Sequence, residues 1–334
     1  MASKRDTLKI ASIIYLGGMV CWAVAMRGAE FFWPAVLLLH MPQHVWLILP
    51  TLLLLIGFLR RNRGAVVWNL VTLAFVAIGL MGFRIPLGRL GTEPGIPVRV
   101  MTYNIHHGDA GLENVAATAK RLNPDIVCLQ EANAADWKSE LPLQANSYLR
   151  GWHIARFREL ATLSKYPILS QHVQHMQPKT GRAVLVTAMN VEGRRLVVLN
   201  THLSTATGGS LFHRKVSMAE YMRDTVSTRS FQIKALQKIG ESSKGAVVIA
   251  GDFNTPPRGV LYHRMCGRFH DSFSVGGFGF GHTFIARLPV LRIDYVFAND
   301  RFGVKRCFVP KASSSDHLPL VADLIILGSD GDMP

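Results

Sequence analysis

The chain has 334 residues, 49% of them hydrophobic, and a formal net charge of +15. That length admits a membrane portion plus one domain of roughly 200–250 residues, and no internal repeat, low-complexity tract or charge run marks a disordered tail. The positive balance is split between residues 1–90 (+7) and the remainder (+8), which suits phosphate-bearing partners without separating nucleic acid from lipid headgroups.

The first ninety residues read as a membrane anchor. Segments 10–26, 31–59 and 64–83 carry no Asp, Glu, Lys or Arg, and none shows the polar face of a soluble core helix. The first and third have the length of a bilayer-spanning helix. The middle one holds Pro34, Pro42, Pro50 and "HMPQH", so it is read as a kinked span or a re-entrant hairpin, whose freed polar groups need protein or water. The start also resembles a secretory signal with "AVA" at 23–25. An uncleaved anchor is favoured because 10–26 is long for a signal core. Lys4, Arg5 and Lys9 precede the first segment, Arg60, Arg61 and Arg63 follow the second, and Arg27 stands in the intervening loop. The positive-inside rule keeps the N-terminus and the Arg loop cytoplasmic, so three crossings place residue 90 onward outside.

Residues 91–97 fall in a Gly/Pro-rich linker, "RIPLGRLGTEPGIPV". Strands are expected at 98–105, 126–131, 183–191, 195–203, 246–253, 291–297 and 319–326. Helical spacing of Leu112, Val115, Ala116, Ala119 and Leu122 predicts a helix over 111–122. Phe231, Ala235, Leu236 and Ile239 predict another over 229–241. Many short strands with few helices argue for a mixed sheet packing. Of the four cysteines, Cys128 lies in a buried strand and reads as inert core. A Cys266–Cys307 bridge is permitted outside the cell, and the sequence does not place those two residues.

Polar side chains gather where these strands end. "MTYNIHHG" presents Asn104 ahead of His106 and His107, and "IVCLQE" ends in Glu131. "LVVLNTHL" ends in Asn200 and His202, "VVIAGDFNTPP" in Asp252 and Asn254. "RIDYVF" sets Asp294 in an apolar strand, and "SSSDHLPLV" puts Asp316 and His317 just before the last one. Any one of these is commonly a turn, surface polarity or a satisfied buried acid. Six together indicate a site, because a sheet holds its strand ends rigidly. The set has carboxylates, amides and histidines, with no Ser nucleophile elbow and no paired Cys motif. Hard oxygen ligands suit Mg²⁺ or Mn²⁺, a His beside acids can take a proton from water, and amides can hold a charged phosphoryl group. Hydrolysis of a phosphate ester follows.

In this order the motifs (N, LQE, THL, GDFN, IDYVF, SDH) resemble the endonuclease/exonuclease/phosphatase superfamily, the deoxyribonuclease-I-like fold, over about 98–328. The resemblance implies an α/β fold, a four-layer α/β/β/α sandwich, preceded here by about three transmembrane helices. It implies that Glu131 binds the metal with Asn104 and Asp316 near it. Asp252 would orient or activate the attacking water, Asn254 and His202 would contact the phosphate, and His317, oriented by Asp294, would complete the acid–base or transition-state-stabilising pair. "TRSFQ" adds Arg229 and Gln232 as substrate-binding candidates, and Arg182 or Tyr166 could supply the phosphate contact that some members draw from mid-domain. Two features depart from the pattern. His106 stands where some nucleases carry an acid, and the mid-domain contact has no fixed position here.

The resemblance leaves the substrate open. The favoured reading is a membrane-anchored Mg²⁺-dependent phosphoesterase acting on a lipid or other envelope phosphate outside the cytoplasm, with no obligate protein partner. The alternatives are an extracytoplasmic nuclease, for which no aromatic-rich basic stripe is present, and a membrane scaffold with a decayed hydrolase domain.

Overall fold

A computed structural model describes residues 4–86, 94–133, 148–176, 181–205 and 217–328. The chain starts with α1 (Lys4–Arg27), α2 (Trp33–His40), α3 (Ile48–Leu59) and α4 (Arg63–Phe75), which runs on to Leu80 as a π-helical turn. Among the described residues two helices are long and apolar enough to cross a membrane, Thr7–Arg27 and Arg63–Leu80. The middle segment is a helix pair, Trp33–His40 and Gln43–Leu59, bent by 79°. The break falls at Met41, extended at ψ 139°, as the residue before a proline prefers. Asn62 caps α4 by accepting a hydrogen bond from Ala65 N, and buried Asn69 Nδ2 donates to Ser12 Oγ (2.8 Å), tying α4 to α1.

The rest folds as β1 (Gly95–Asn104), α5 (Leu112–Leu122), β2 (Ile126–Gln130), β3 (His153–Phe157), β4 (Leu160–Ser164), β5 (Ile168–His175), β6 (Ala183–Val191) and β7 (Arg194–His202). There follow α6 (Met218–Ser242), β8 (Ala246–Asp252), α7 (Val260–Cys266), β9 (His270–Asp271), α8 (Ser272–Gly276), β10 (Asp294–Ala298), β11 (Phe302–Phe308) and β12 (Leu320–Leu327). The described strands form two six-stranded sheets, ordered β11-β12-β1-β2-β4-β3 and β5-β6-β7-β8-β10-β9. Val98, Val100 and Cys128 of the first sheet meet Val198, Val248 and Val296 of the second in one buried core. The outer face of the first sheet packs on α5 through Val115, Ala119, Met101 and Leu129. The second packs on α6 and α7 through Ile233, Leu236, Leu261 and Ile249. The expected four layers are present.

Several local expectations change. β1 begins at Gly95, so the end of the expected linker belongs to the strand, while 91–93 lie outside the described residues. Strands β3, β4, β5, β9 and β11 were not predicted. The β3–β4 hairpin turns on Arg158 (φ 51°) and Glu159, lacking the Asn-Gly or Asp-Gly that announces such a turn. β5 is an exposed edge, and β11 is interrupted by an irregularity between Val304 and Arg306, so neither alternates cleanly. Helix α6 begins eleven residues ahead of the expected 229, where Ser217 caps it by accepting from Glu220 N. Phe231 faces solvent and Ile233 takes the core position instead. All four cysteines, Cys266 and Cys307 included, are free thiols.

The apolar helices and the sandwich are joined by polar groups. Glu30 accepts from Val260 N (2.9 Å) and Leu261 N (3.3 Å), supplying a carboxylate to the N-terminus of α7, where the helix dipole favours negative charge. Any Cβ at Gly259 would collide with that carboxylate. Buried Arg258 donates to Leu39 O (2.6 Å) and Leu80 O (3.1 Å), carbonyls at the ends of α2 and the α4 helix, which have no partner inside their own helices.

Candidate active site

Register brings the strand ends together. His202 pairs with Asp252 across β7 and β8, Asp252 with Asp294 across β8 and β10, and Asn104 with Gln130 across β1 and β2. Facing sheets then complete the cluster: Asn104 Nδ2 donates to Glu131 Oε1 (3.0 Å) in its own sheet and to Asp252 Oδ2 (3.1 Å) in the other. Glycine is required just before Asp252. Gly251 has φ +154°, and a side chain there would strike Thr201 O. Glu131 (φ 54°) and Asn254 (φ 47°) adopt left-handed backbone conformations, uncommon for residues other than glycine and asparagine.

Asp252 is the centre. Its Oδ1 accepts from Asn254 N (2.8 Å), His202 Nε2 lies 3.5 Å from Oδ2, and His317 Nε2 lies 3.8 Å from the same oxygen. Burial, and then the Asp294 carboxylate, raise its pKa above the ordinary carboxylate value. His317 Nδ1 sits 2.8 Å from Asp294 Oδ2. Burial alone would lower the pKa of that imidazole, but the charge and hydrogen bond of Asp294, with Asp252 beyond, push it up to about 10. Ser315 Oγ donates to Asn104 O (2.8 Å) and accepts from His317 N (3.1 Å), fixing the turn that carries the histidine. The Phe284 ring lies 4.8 Å from the His317 ring.

On the other flank, Arg182 Nη1 lies 2.8 Å from His202 Nδ1 and also pairs with Glu159, whose Oε2 is 3.4 Å from the same nitrogen. Burial opposes ionisation of Glu159, yet His202 and Arg182 prevail and bring its pKa down to about 2. His107 Nε2 approaches Glu131 Oε2 (3.3 Å), whereas His106 pairs with exposed Asp109.

Asn104, Glu131, His202, Asp252, Asn254, Asp294 and His317 therefore form one cluster. Asp316 points outward into an adjoining cleft of about 590 Å³ shared with His106 and Arg287. Arg229 and Gln232 lie beneath the site. Fully buried Arg229 donates to Asn254 O (2.8 Å) and Thr255 Oγ1 (3.1 Å), and Gln232 Oε1 accepts from Ser204 N (3.0 Å), so they brace the loops after β8 and β7. Arg182 reaches the site through His202. Tyr166 packs on the core between the sheets. Asn200 also turns inward, donating to Leu129 O (3.1 Å) and Ala161 O (2.9 Å) across the sheets. Glu159, Phe284 and Ser315 were not picked out. Ser315 stood in the quoted "SSSDH" run, while Glu159 had no signal, because its hairpin had none.

The donor set fits a divalent cation. Glu131, Asp252 and Asp294 converge with histidines between them, and ligand atoms of Asp252, Asp294 and His317 lie within 4.8 Å of one another. Much of that triad is internally bonded: Asp252 oxygens accept from Asn104 and Asn254, and His317 Nδ1 is engaged by Asp294, while buried Asp294 Oδ1 has no hydrogen-bond partner. Glu131 is the most exposed acid of the cluster, with 19% of its side chain accessible against 2% for Asp252 and 1% for Asp294. Oxygen-rich sets of this kind suit hard cations.

Face-to-face sheets whose strand ends present carboxylates, amides and an Asp–His pair define a phosphoric-ester hydrolase. Residues 101–317 match the Endonuclease/Exonuclease/phosphatase family, and the chain belongs to it as a metal-dependent enzyme of that class. Solved structures share the fold. The endonuclease/exonuclease/phosphatase from Beutenbergia cavernae DSM 12333 is 21% identical over 70% of this chain and 72% of its own, with a TM-score of 0.53. The one from Bacteroides vulgatus is 19% identical over 69% of this chain and 99% of its own, TM-score 0.53. The human Nocturnin catalytic domain with bound sulfate anion is 20% identical over 70% and 96%, TM-score 0.51. No curated protein matches the chain.

Proposed function

We propose that the protein is a membrane-anchored phosphoesterase that hydrolyses a phosphate mono- or diester carried by a lipid or other envelope molecule, on the extracytoplasmic side. The observation that carries this reading is the position of the cluster against the apolar N-terminal segment: His40 Nε2, on α2, lies 3.3 Å from the carbonyl of Asn254. A site built into the anchor meets esters at the membrane surface first.

In this reading Glu131 would hold the cation with Asn104 close by, while Asp316 faces the adjoining cleft. When bound there, Mg²⁺ or Mn²⁺ would supply Lewis-acid polarisation of a phosphoryl oxygen. Asp252 orients the attacking water and takes its proton as the water oxygen adds to phosphorus. The ester oxygen leaves with the bonding pair and is protonated by solvent, releasing the alcohol. Asn254, His202 and His317 face the oxygens on which charge builds, and donors aimed there lower the barrier. Asp294 orients His317, and Glu159 with Arg182 orients His202. No partner protein is needed for any of these roles.

The test is hydrolysis of bis-p-nitrophenyl phosphate, DNA and phospholipid by the purified full-length protein, with Mg²⁺ and with EDTA. Turnover of phospholipid ahead of DNA, abolished by EDTA, is expected. Preference for DNA would replace the lipid reading with the nuclease one, and no turnover of any ester would favour the scaffold.

A further inference from the structure

Beside the cluster is a slot of about 290 Å³ between the anchor and the sandwich. Leu37 and Met41 of the α2 region line it opposite Phe284, Leu291 and Ile293, together with the polar residues Thr205, Asn254 and His40, the last with its ring nitrogens already at Val36 O and Asn254 O. Two of these residues touch the catalytic centre: Asn254 N donates to Asp252 (2.8 Å), and the Phe284 ring lies 4.8 Å from that of His317. The slot therefore borders the Asp252–His317 cluster directly. Five of the slot's eight lining residues are apolar, so a hydrocarbon chain finds more matching surface there than a ring with several polar edges does.

The anchor side explains the occupant. Helix α2 meets the helix that follows it at 79°, so if the latter crosses the bilayer, α2 lies near the interfacial plane, where aromatic residues gather. Phe31 (83% exposed) and Phe32 (63%) stand free just ahead of it, followed by Trp33. The slot's mouth and the apolar surface are thus continuous through Leu37, itself exposed. We propose that this slot binds the hydrocarbon chain of an amphiphilic phosphate ester, so that α2 forms part of the substrate site. The inference rests on the phosphoesterase reading and adds a substrate class to it: esters bearing an alkyl, acyl or prenyl chain close to phosphorus.

The experiment uses methyl, butyl and octyl p-nitrophenyl phosphates below their micellar concentrations, with the full chain in one fixed detergent. Each methylene that enters the slot should raise kcat/KM by up to about fourfold, with a plateau once the slot is full. Leu37→Trp, which fills the slot from the anchor side, should bring the octyl-to-methyl ratio toward one. Leu291→Trp should do the same from the opposite wall, which covers the case of a Leu37 variant that fails to fold. Val24→Trp, on the exposed surface of α1, should keep the wild-type ratio. A wild-type ratio near one, with the methyl ester turned over, would sink the slot and leave the phosphoesterase reading standing. A ratio unchanged in both slot variants would place the chain elsewhere. Failure to hydrolyse every ester would remove the phosphoesterase reading and the slot with it.

Discussion

Asp294 and His317 are joined by a 2.8 Å contact between two buried side chains, so they should act as a unit. Asp294→Asn and His317→Ala are each expected to lower kcat by about 10²–10⁴. The double variant should be little worse than the poorer single one, because losses within a unit do not multiply. Full multiplication would show independent action. Glu131→Gln keeps shape but removes a ligand charge, so the Mg²⁺ concentration for half-maximal activity should rise at least tenfold while the circular-dichroism spectrum stays unchanged. Normal activity at limiting Mg²⁺ would remove Glu131 from the site. Glu159 gives a pH signature in stability. Its folded pKa of about 2 lies below the ordinary 4.5, so its contribution is present above the unfolded pKa and disappears as pH falls from about 4.5 toward 2. With a quarter of the side chain exposed, Glu159→Gln should cost about 2 kcal/mol at neutral pH after allowance for screening. Urea titrations at pH 7, 4 and 3 should show that gap shrinking, and a constant gap would mean the carboxylate charge is not what stabilises.

At the scale of elements, the sequence was legible wherever a period or a terminus was strong. β7 and β8 lie within two residues of their expected limits, and α5 begins one residue late, because an apolar run or a helical stripe names them unaided. The clustering of strand ends was legible for the same reason: Asn104, Glu131, His202 and Asp252 terminate such runs. Contacts that depend on tertiary approach were not. Nothing local distinguishes Glu159, or Arg229 as a loop brace instead of a phosphate contact. Nor does anything local show that Glu30 and Arg258 complete helix ends across the boundary between the apolar helices and the sandwich. Those two make the boundary a structural one. Arg258→Ala strands the Leu39 and Leu80 carbonyls it now serves, and should cost about 1–3 kcal/mol for the desolvated groups. Gly259→Ala should act likewise by pushing Glu30 off the α7 N-terminus. Both are expected to lower the melting temperature of the full chain in detergent, and unchanged melting in both would reduce these contacts to incidental ones.

Over the whole molecule, the direction of the apolar helices carries a prediction about sidedness. Glu30, just past α1, and Leu80, at the end of the α4 helix, both contact the α7 region of the sandwich, as does Leu39 at the end of α2. The turn at Arg60, Arg61 and Arg63 lies at the other end of α3 and α4. One end of the helical layer therefore meets the enzyme and the opposite end holds the basic cluster. Basic loops stay on the cytoplasmic side, which supports placing the sandwich outside, with α1 and the α4 helix both running outward. A reporter fused after Leu90 should accordingly behave as extracytoplasmic: an alkaline phosphatase fusion active there, a fluorescent protein fusion dark if exported unfolded. Replacing Arg60, Arg61 and Arg63 by Gln should weaken that orientation. The opposite reporter pattern in the unaltered chain would put the site in the cytoplasm, within reach of nucleic acid. The envelope substrate would then have to be given up, even if the slot beside Asn254 still bound a hydrocarbon chain.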